Sequence, residues 1–337
     1  MHPYKNLFIR NLQLAELGLG KTMPTPLNAW TLFDETQHVV AEGWLPKYPV
    51  HKDSFVVKPR SEHQSANLLI LTRLDGVDQD LIDFISTFSI TQLFVLAKVT
   101  PESASFLALH GVLVVDSLMP DEEANTNKRF YQYISEYRPY IILKWAETSD
   151  GFVARSNYDS KWISSPLSRR LVHKWRSEEE AIMVGTNTAN YDNPKLNVRK
   201  WTGRNPVRIV LDRYLRLGQG LHLFNSSHPT IIYNQIKSEV KPNLSFINTE
   251  GDSYLEFFAS VLTDLYSRNI QSIFVEGGSR LLQFLIENGL WNEARVFTSP
   301  VSFVKGIAAP TISKSWLHSN TQIAEDQLKI YQKLNKK

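Results

Sequence analysis

The chain has 337 residues and no cysteine, which excludes disulfides, thiolate metal sites and cysteine nucleophiles. Its 37 basic and 34 acidic side chains leave a net charge of +3, too balanced for a nucleic-acid footprint, and no apolar run is long enough for a membrane span. The length suits two domains, and the opening "MHPYKNLFIRNLQ" lacks the continuous apolar stretch of a secretion signal, so a cytoplasmic protein is expected. Residues 5–18 predict a helix whose apolar faces include Leu12, Leu14 and Leu17, and strands follow near 29–34, 67–72, 92–97 and 111–115. Residues 120–137 predict one charged helix, with Phe130, Tyr133, Ile134 and Tyr137 at helical spacing. Pro139 discourages helix in the residue before it. The element therefore changes at Arg138–Pro139, and the expected domains are 1–137 and 138–337.

The second half alternates strand and helix. "YIILKWA" predicts a buried strand, with Lys144 ending its apolar run. "SSPLSRRLVHKWRSE" predicts a helix with serine caps, Pro166 in its first turn and Leu167, Leu171 and Trp175 on one face. "AIMVG", "VRIVLD" and "PTIIYN" read as strands, and "GTNTANYDNP" between them as a polar loop. A helix over 253–269, the strand "SIFVEGG", the helix "SRLLQFLIENG" and the strand "EARVFTSPV" complete an α/β sheet with a crevice at the carboxyl ends of its strands. In "VEGGSRLL" the glycines permit close backbone approach, and the helix start offers free N–H groups to an anion. Glu276, directly before that turn, is a carboxylate in an anion-binding setting and calls for a different ligand.

"NLQLAELGLGKTMPTPLNAWTLFDETQHVVAEGW", followed by "YPVHKD", resembles the deaminase domain of the bifunctional riboflavin-biosynthesis deaminase/reductase family. That domain is cytidine-deaminase-like, and its chemistry needs a His and two Cys on zinc with a proton-shuttling Glu. Here His51 stands at the ligand position and Asp53, one methylene shorter, at that of the Glu, and the segment that should carry the cysteines has none. A metal site rebuilt from His51, Asp53 and His63 is one reading. The other, which we expect, is a degenerate domain without zinc or deaminase activity.

"RPYIILKWAETSDGFVA", "SKWISSPLSRRLVHKWR", "GTNTANYDNPKLNVR", "PVRIVLD" and "FVEGGSRLLQFLIENGLWNE" resemble the same family's reductase domain, in order and spacing. The resemblance implies a dihydrofolate-reductase-like fold that uses NADPH to reduce the ribosyl group of 5-amino-6-(5-phosphoribosylamino)uracil to its ribityl form. It further implies catalytic roles for Lys144 and Glu276. Substrate contacts would come from Ser160, Arg176, Leu196, Arg199 and Glu276. Cofactor contacts would come from Ala146, Trp162, Thr188, Asp192, Gly277, Gly278 and Ser279, with Arg213 or Arg216 on the 2′-phosphate. Arg176 and Arg199 would offer two guanidinium forks to the 5′-phosphate or the pyrimidine oxygens, and Glu276 would accept from the substrate directly. No metal is implied, and a homodimer through the reductase domain is. The alternatives are a reductase of the non-deaminated diaminopyrimidine or of a pterin, and a non-catalytic scaffold.

Overall fold

A computed structural model describes residues 2–45, 66–159 and 163–333. It divides into two compact units, Met1–Tyr131 and Gln132–Lys337. His51, Asp53, His63, Ser160 and Trp162 lie outside the described residues. Among the described residues, no helix is long and apolar enough to cross a membrane.

The first unit begins with helix α1 (Lys5–Glu16) and the antiparallel pair β1 (Asn28–Phe33) and β2 (Val39–Leu45). It continues with β3 (Leu68–Leu71), α2 (Gln79–Thr87), β4 (Gln92–Val95), α3 (Pro101–Leu109) and β5 (Leu113–Val115). The sheet order is β2-β1-β3-β4-β5, with β3, β4 and β5 parallel. Helix α1 buries Leu7, Phe8 and Leu12, whereas Leu17 lies past the helix end and is 55% exposed. The single helix expected over 120–137 is two, α4 (Pro120–Thr126) and α5 (Lys128–Glu136). They part at Asn127, whose side chain accepts from Leu27 N–H (2.7 Å) and donates to Leu27 C=O (3.0 Å). The division between units falls within α5. Beyond it, the Tyr133 ring packs 4.5 Å from that of Tyr266, and its hydroxyl donates to the Tyr266 carbonyl.

The second unit runs β6 (Tyr140–Glu147), β7 (Phe152–Ala154), α6 (Pro166–Glu178), β8 (Ala181–Gly185), α7 (Thr186–Asp192), β9 (Val207–Leu211) and β10 (Thr230–Asn234). Then follow β11 (Glu239–Lys241), β12 (Leu244–Asn248), α8 (Tyr254–Ser267), β13 (Ser272–Val275), α9 (Ser279–Glu287) and β14 (Glu293–Thr298). Last come β15 (Ile307–Ala308), β16 (Leu317–Ile323) and β17 (Asp326–Gln332). The main sheet has the order β11-β12-β10-β9-β8-β13-β6-β14-β17-β16. Strands β12 through β14 in that order are parallel, and the edges add antiparallel strands.

Parallel strands covered on both faces read as unbroken apolar runs, as "YIIL" and "IFV" do. Ile141 and Leu143 join the core formed with α8 and α9, while Tyr140 and Ile142 join the core that includes Val172 and Trp175 of α6. Helix α6 is capped by the Ser165 side chain on Ser168 N–H, with Pro166 at its start, as its sequence predicts. Its buried stripe is Ser168, Val172, Trp175 and Arg176, however, and Leu167 is 51% exposed. The chain runs outward from β8 through β9 and β10 on one side and occupies β13, β6 and β14 on the other. The crevice between β8 and β13 is thus a topological switch point, where α/β sheets bind ligands.

Away from that crevice, Glu180 leads into β8 and is buried. Burial pushes its carboxyl up to about 8, against the pull of the Gln271 and Ser272 amides it accepts from at 2.6 and 3.1 Å. A carboxyl raised on folding contributes its full stability below its unfolded pKa and loses it as pH climbs through the folded value. Glu180→Gln keeps an acceptor oxygen for both amides and carries no charge. Thermal unfolding should therefore show the variant more stable than the parent at pH 9, with the gain shrinking towards pH 5. An equal effect at both pH values would show that ionisation of Glu180 is not the cause.

Candidate active site

Val275, the last residue of β13, is in register with Leu143 of β6 and Met183 of β8. The next residue on each inner strand is therefore Glu276 or Lys144, side by side at the carboxyl edge. Pairing with β8 persists past the strand end: Glu276 N–H donates to Met183 C=O (3.0 Å), and Gly185 N–H to Gly277 C=O (3.1 Å). This holds the Glu-Gly-Gly turn rigidly along the crevice. Lys144, Glu276, Gly277 and Gly278 line a cavity of about 970 Å³, together with Ala146, Arg176, Thr188, Asp192, Arg199, Arg213, Arg216 and Ser279. Small-molecule sites span roughly 300–1,000 Å³, so this one suits a large ligand or two.

The structure changes the part played by Glu276. Both its oxygens are taken by Arg176: Nε donates to Oε1 at 2.6 Å and Nη2 to Oε2 at 2.7 Å, while Nη1 donates to Asn197 C=O at 3.0 Å. The two side chains are each 11% exposed, a setting in which opposite charges pair rather than wait for a ligand. Arg176 therefore does not stand beside Arg199 as a second open fork. Burial works against the Glu276 charge, but Arg176 and then Lys144 outweigh it and hold the carboxyl below its ordinary value. Burial lowers the Lys144 ammonium from its ordinary value, and Glu276 offsets part of that effect.

His173, one turn before Arg176 on α6, also lines the cavity and was not among the residues singled out from sequence. Its Nδ1 accepts from Arg199 N–H (3.3 Å), which leaves the Nε2 proton on the neutral ring. Burial, helped by Arg176 and Arg199, pushes its pKa down to about 4, so it stays neutral through the physiological range. The His-x-x-Arg spacing on a helix puts both residues on one face, and that was the signal available.

At the glycine turn, Gly277 has φ +128°, and a Cβ on Gly278 would lie 2.9 Å from Thr188 Oγ1. The close approach that requires glycine is thus to Thr188. Gly278 caps α9 without a side-chain hydrogen bond, so the N–H groups of the first turn keep their need for an acceptor. These groups fit the pyrophosphate of a dinucleotide. The Ser279 hydroxyl is not one of them, because it donates to Ala308 C=O (2.7 Å).

Residues 139–320, more than half of the chain, match the family model of the RibD C-terminal domain. The chain belongs to the RibD family.

Aquifex aeolicus riboflavin biosynthesis protein RibD is 34% identical over 201 residues, covering 59% of this chain and 56% of that one. The Actinobacillus pleuropneumoniae RibD is 29% identical over 312 residues, covering 86% and 82%. Among solved structures, the Thermotoga maritima diaminohydroxyphosphoribosylaminopyrimidine deaminase/5-amino-6-(5-phosphoribosylamino)uracil reductase superposes with a TM-score of 0.80 at 25% identity, covering 98% of both chains. The RibD membership expected from the motifs is borne out. So are the α/β fold class and the role as a riboflavin-biosynthesis reductase, an oxidoreductase of the kind that uses a nicotinamide cofactor.

Other residues expected in the RibD site are placed as follows. Leu196 is buried and lines a smaller adjoining hollow with Arg176, Asp192 and Arg199. The expected loop "GTNTANYD" is the short helix α7, anchored by Thr186 Oγ1 on Leu211 C=O (2.8 Å) and by buried Ala189, tertiary contacts that override its polar composition. Arg213 is committed elsewhere: Nη2 donates to Gly251 and Asp252 C=O at 2.9 and 2.8 Å, and Nε to Gln235. Arg216 is exposed and lies over the Tyr214 ring.

Proposed function

We propose that this RibD protein reduces the ribosyl group of 5-amino-6-(5-phosphoribosylamino)uracil to the ribityl form with NADPH. The observation that carries this reading is one cavity lined by a desolvated lysine, a buried carboxylate–guanidinium pair and the uncapped start of a helix. NADPH, when bound, would supply the hydride for C1′ of the ring-opened ribosylamine, the imine nitrogen taking up one proton, and the cofactor would carry that chemistry. The chain holds and orients the reactants. Lys144 polarises or protonates the sugar end. Glu276 acts through its neighbours, fixing the Arg176 guanidinium and supporting the Lys144 charge. Arg199, with Ser160 and Leu196, receives the substrate; Ala146, Trp162, Thr188, Asp192, Gly277, Gly278 and Ser279 receive the cofactor. Of the two arginines considered for the 2′-phosphate, Arg216 is favoured, because the Arg213 fork is already bound.

NADPH and NADH oxidation, followed with the phosphoribosylamino-uracil and with its diamino precursor, tests the reading. Turnover confined to the precursor would move the reaction one step earlier, and no turnover with either would overturn it. Arg216→Glu is expected to raise the KM for NADPH while leaving that for NADH nearly unchanged. If the preference survives, the 2′-phosphate is read elsewhere. We also hold that the protein does not deaminate, since it has no cysteine for the zinc; one tightly held zinc per purified chain would contradict this. A cytoplasmic homodimer joined through the reductase domain belongs to the same reading.

A further inference from the structure

Arg208, the second residue of β9, is 1% exposed. Its Nε donates to Thr230 Oγ1 (2.9 Å), Nη1 to His222 C=O (3.1 Å), and Nη2 to His228 C=O (2.8 Å) and, at 3.5 Å, to Asn225 Oδ1. A guanidinium has five N–H donors. These four bonds therefore leave one Nη1 proton without a protein acceptor among the described residues. No carboxylate among those residues pairs with Arg208. Burial of a cation without a counter-charge is costly, and carbonyl dipoles replace its hydration only in part. Arg208 also lines a hollow of about 340 Å³ with Lys195, His222, Ser227 and His228, and among the described residues no acidic side chain is part of that wall. Burial first, and then the nearby Arg208 charge, lowers the His228 pKa. The missing counter-charge and the second cation, Lys195, on the same wall are two observations with one remedy.

We infer that this hollow is a binding site for a phosphate-class anion, held by Arg208, Lys195 and the His222–His228 loop. A purely structural clasp would account for the carbonyl bonds of Arg208 but would not require a hollow beside it that also carries the Lys195 ammonium and, among the described residues, no carboxylate. The site adjoins the reductase cavity in steps. Arg176, Asp192 and Arg199 line both that cavity and a hollow of about 300 Å³, which in turn shares Lys195 and His222 with the Arg208 hollow. Its ligand is therefore either a free phosphate or the phosphate end of a phosphomonoester reaching out of the cavity. The inference stands on Arg208 and its surroundings and does not depend on the reductase reading.

Titration of the full-length protein with inorganic phosphate at constant ionic strength, with the His228 ring followed by NMR, is the test. Saturable binding should raise the His228 pKa in the parent. Lys195→Ala should weaken binding about threefold to tenfold, and the charge reversal Lys195→Glu, at an exposed position, should abolish it. Arg208→Met should also abolish it; should that variant fail to fold, Lys195→Glu decides alone. Phosphate that competes with substrate would identify the seat of a substrate phosphate, and phosphate that does not would identify a free-anion site; either supports the inference. The absence of a saturable shift in the parent, or unchanged affinity in Lys195→Glu, overturns it.

Discussion

Lys144→Met is expected to lower kcat by about 10²–10⁴-fold, the range typical of a lost general acid, while NADPH still binds. The side chain ends the apolar run of β6 beside Glu276 and is desolvated there. The same substitution should raise the melting temperature near neutral pH. A lysine whose pKa falls on folding opposes folding wherever it is charged, that is, below its folded pKa, and the opposition fades as pH rises from that value towards the unfolded one. Methionine has a similar length and no charge to desolvate. Activity and stability thus move in opposite directions, which a general disruption of the fold cannot produce. A variant that is both inactive and less stable would indicate that Lys144 is held in place for structural reasons.

Glu276→Gln is expected to cost tenfold to several hundredfold in kcat/KM, on the order of 1–3 kcal/mol or more. The amide keeps one acceptor for Arg176 and leaves the guanidinium without a counter-charge in a buried setting, where removal of one partner is strongly destabilising. The effect reaches Lys144 as well. Glu276 supports the Lys144 ammonium and Arg176 opposes it, so without the carboxylate the lysine pKa falls further. The lysine cation is lost as pH rises through its pKa, so the alkaline limb of the kcat profile should move to lower pH. NADPH affinity, followed by fluorescence quenching, should hold, because the start of α9 and Gly277–Gly278 are unchanged. Loss of cofactor binding with a fixed alkaline limb would refute both the pairing role and the link to Lys144.

The parallel core strands were legible because burial on both faces writes continuous apolar runs, and α6 because Ser165 and Pro166 mark its start. The outer strands β11 and β12 at one end of the sheet and β17 and β16 at the other were not. Strand β16, "LHSNTQI", is mostly exposed and has little apolar signal; it is a strand because it pairs with β17, which pairs with β14. The sequence of helix α7 reads as a loop for a related reason, its helical state depending on anchors to β9 rather than on propensity.

By itself the sequence determined what chemistry is closed to this chain, since without a thiol no cysteine can bind zinc or act as a nucleophile. It also determined the strand–helix alternation and the glycines at the crevice, all features written in local periodicity and residue type. Only the tertiary structure decided that Arg176 and Glu276, a hundred residues apart, are partners, that Arg213 is occupied, that His173 is a neutral member of the site, and that Arg208 lies buried without a counter-charge among the described residues. Each of these depends on which distant groups share a low-dielectric space, and pairing energies there are set by distances of a few ångströms that no local pattern of residues encodes.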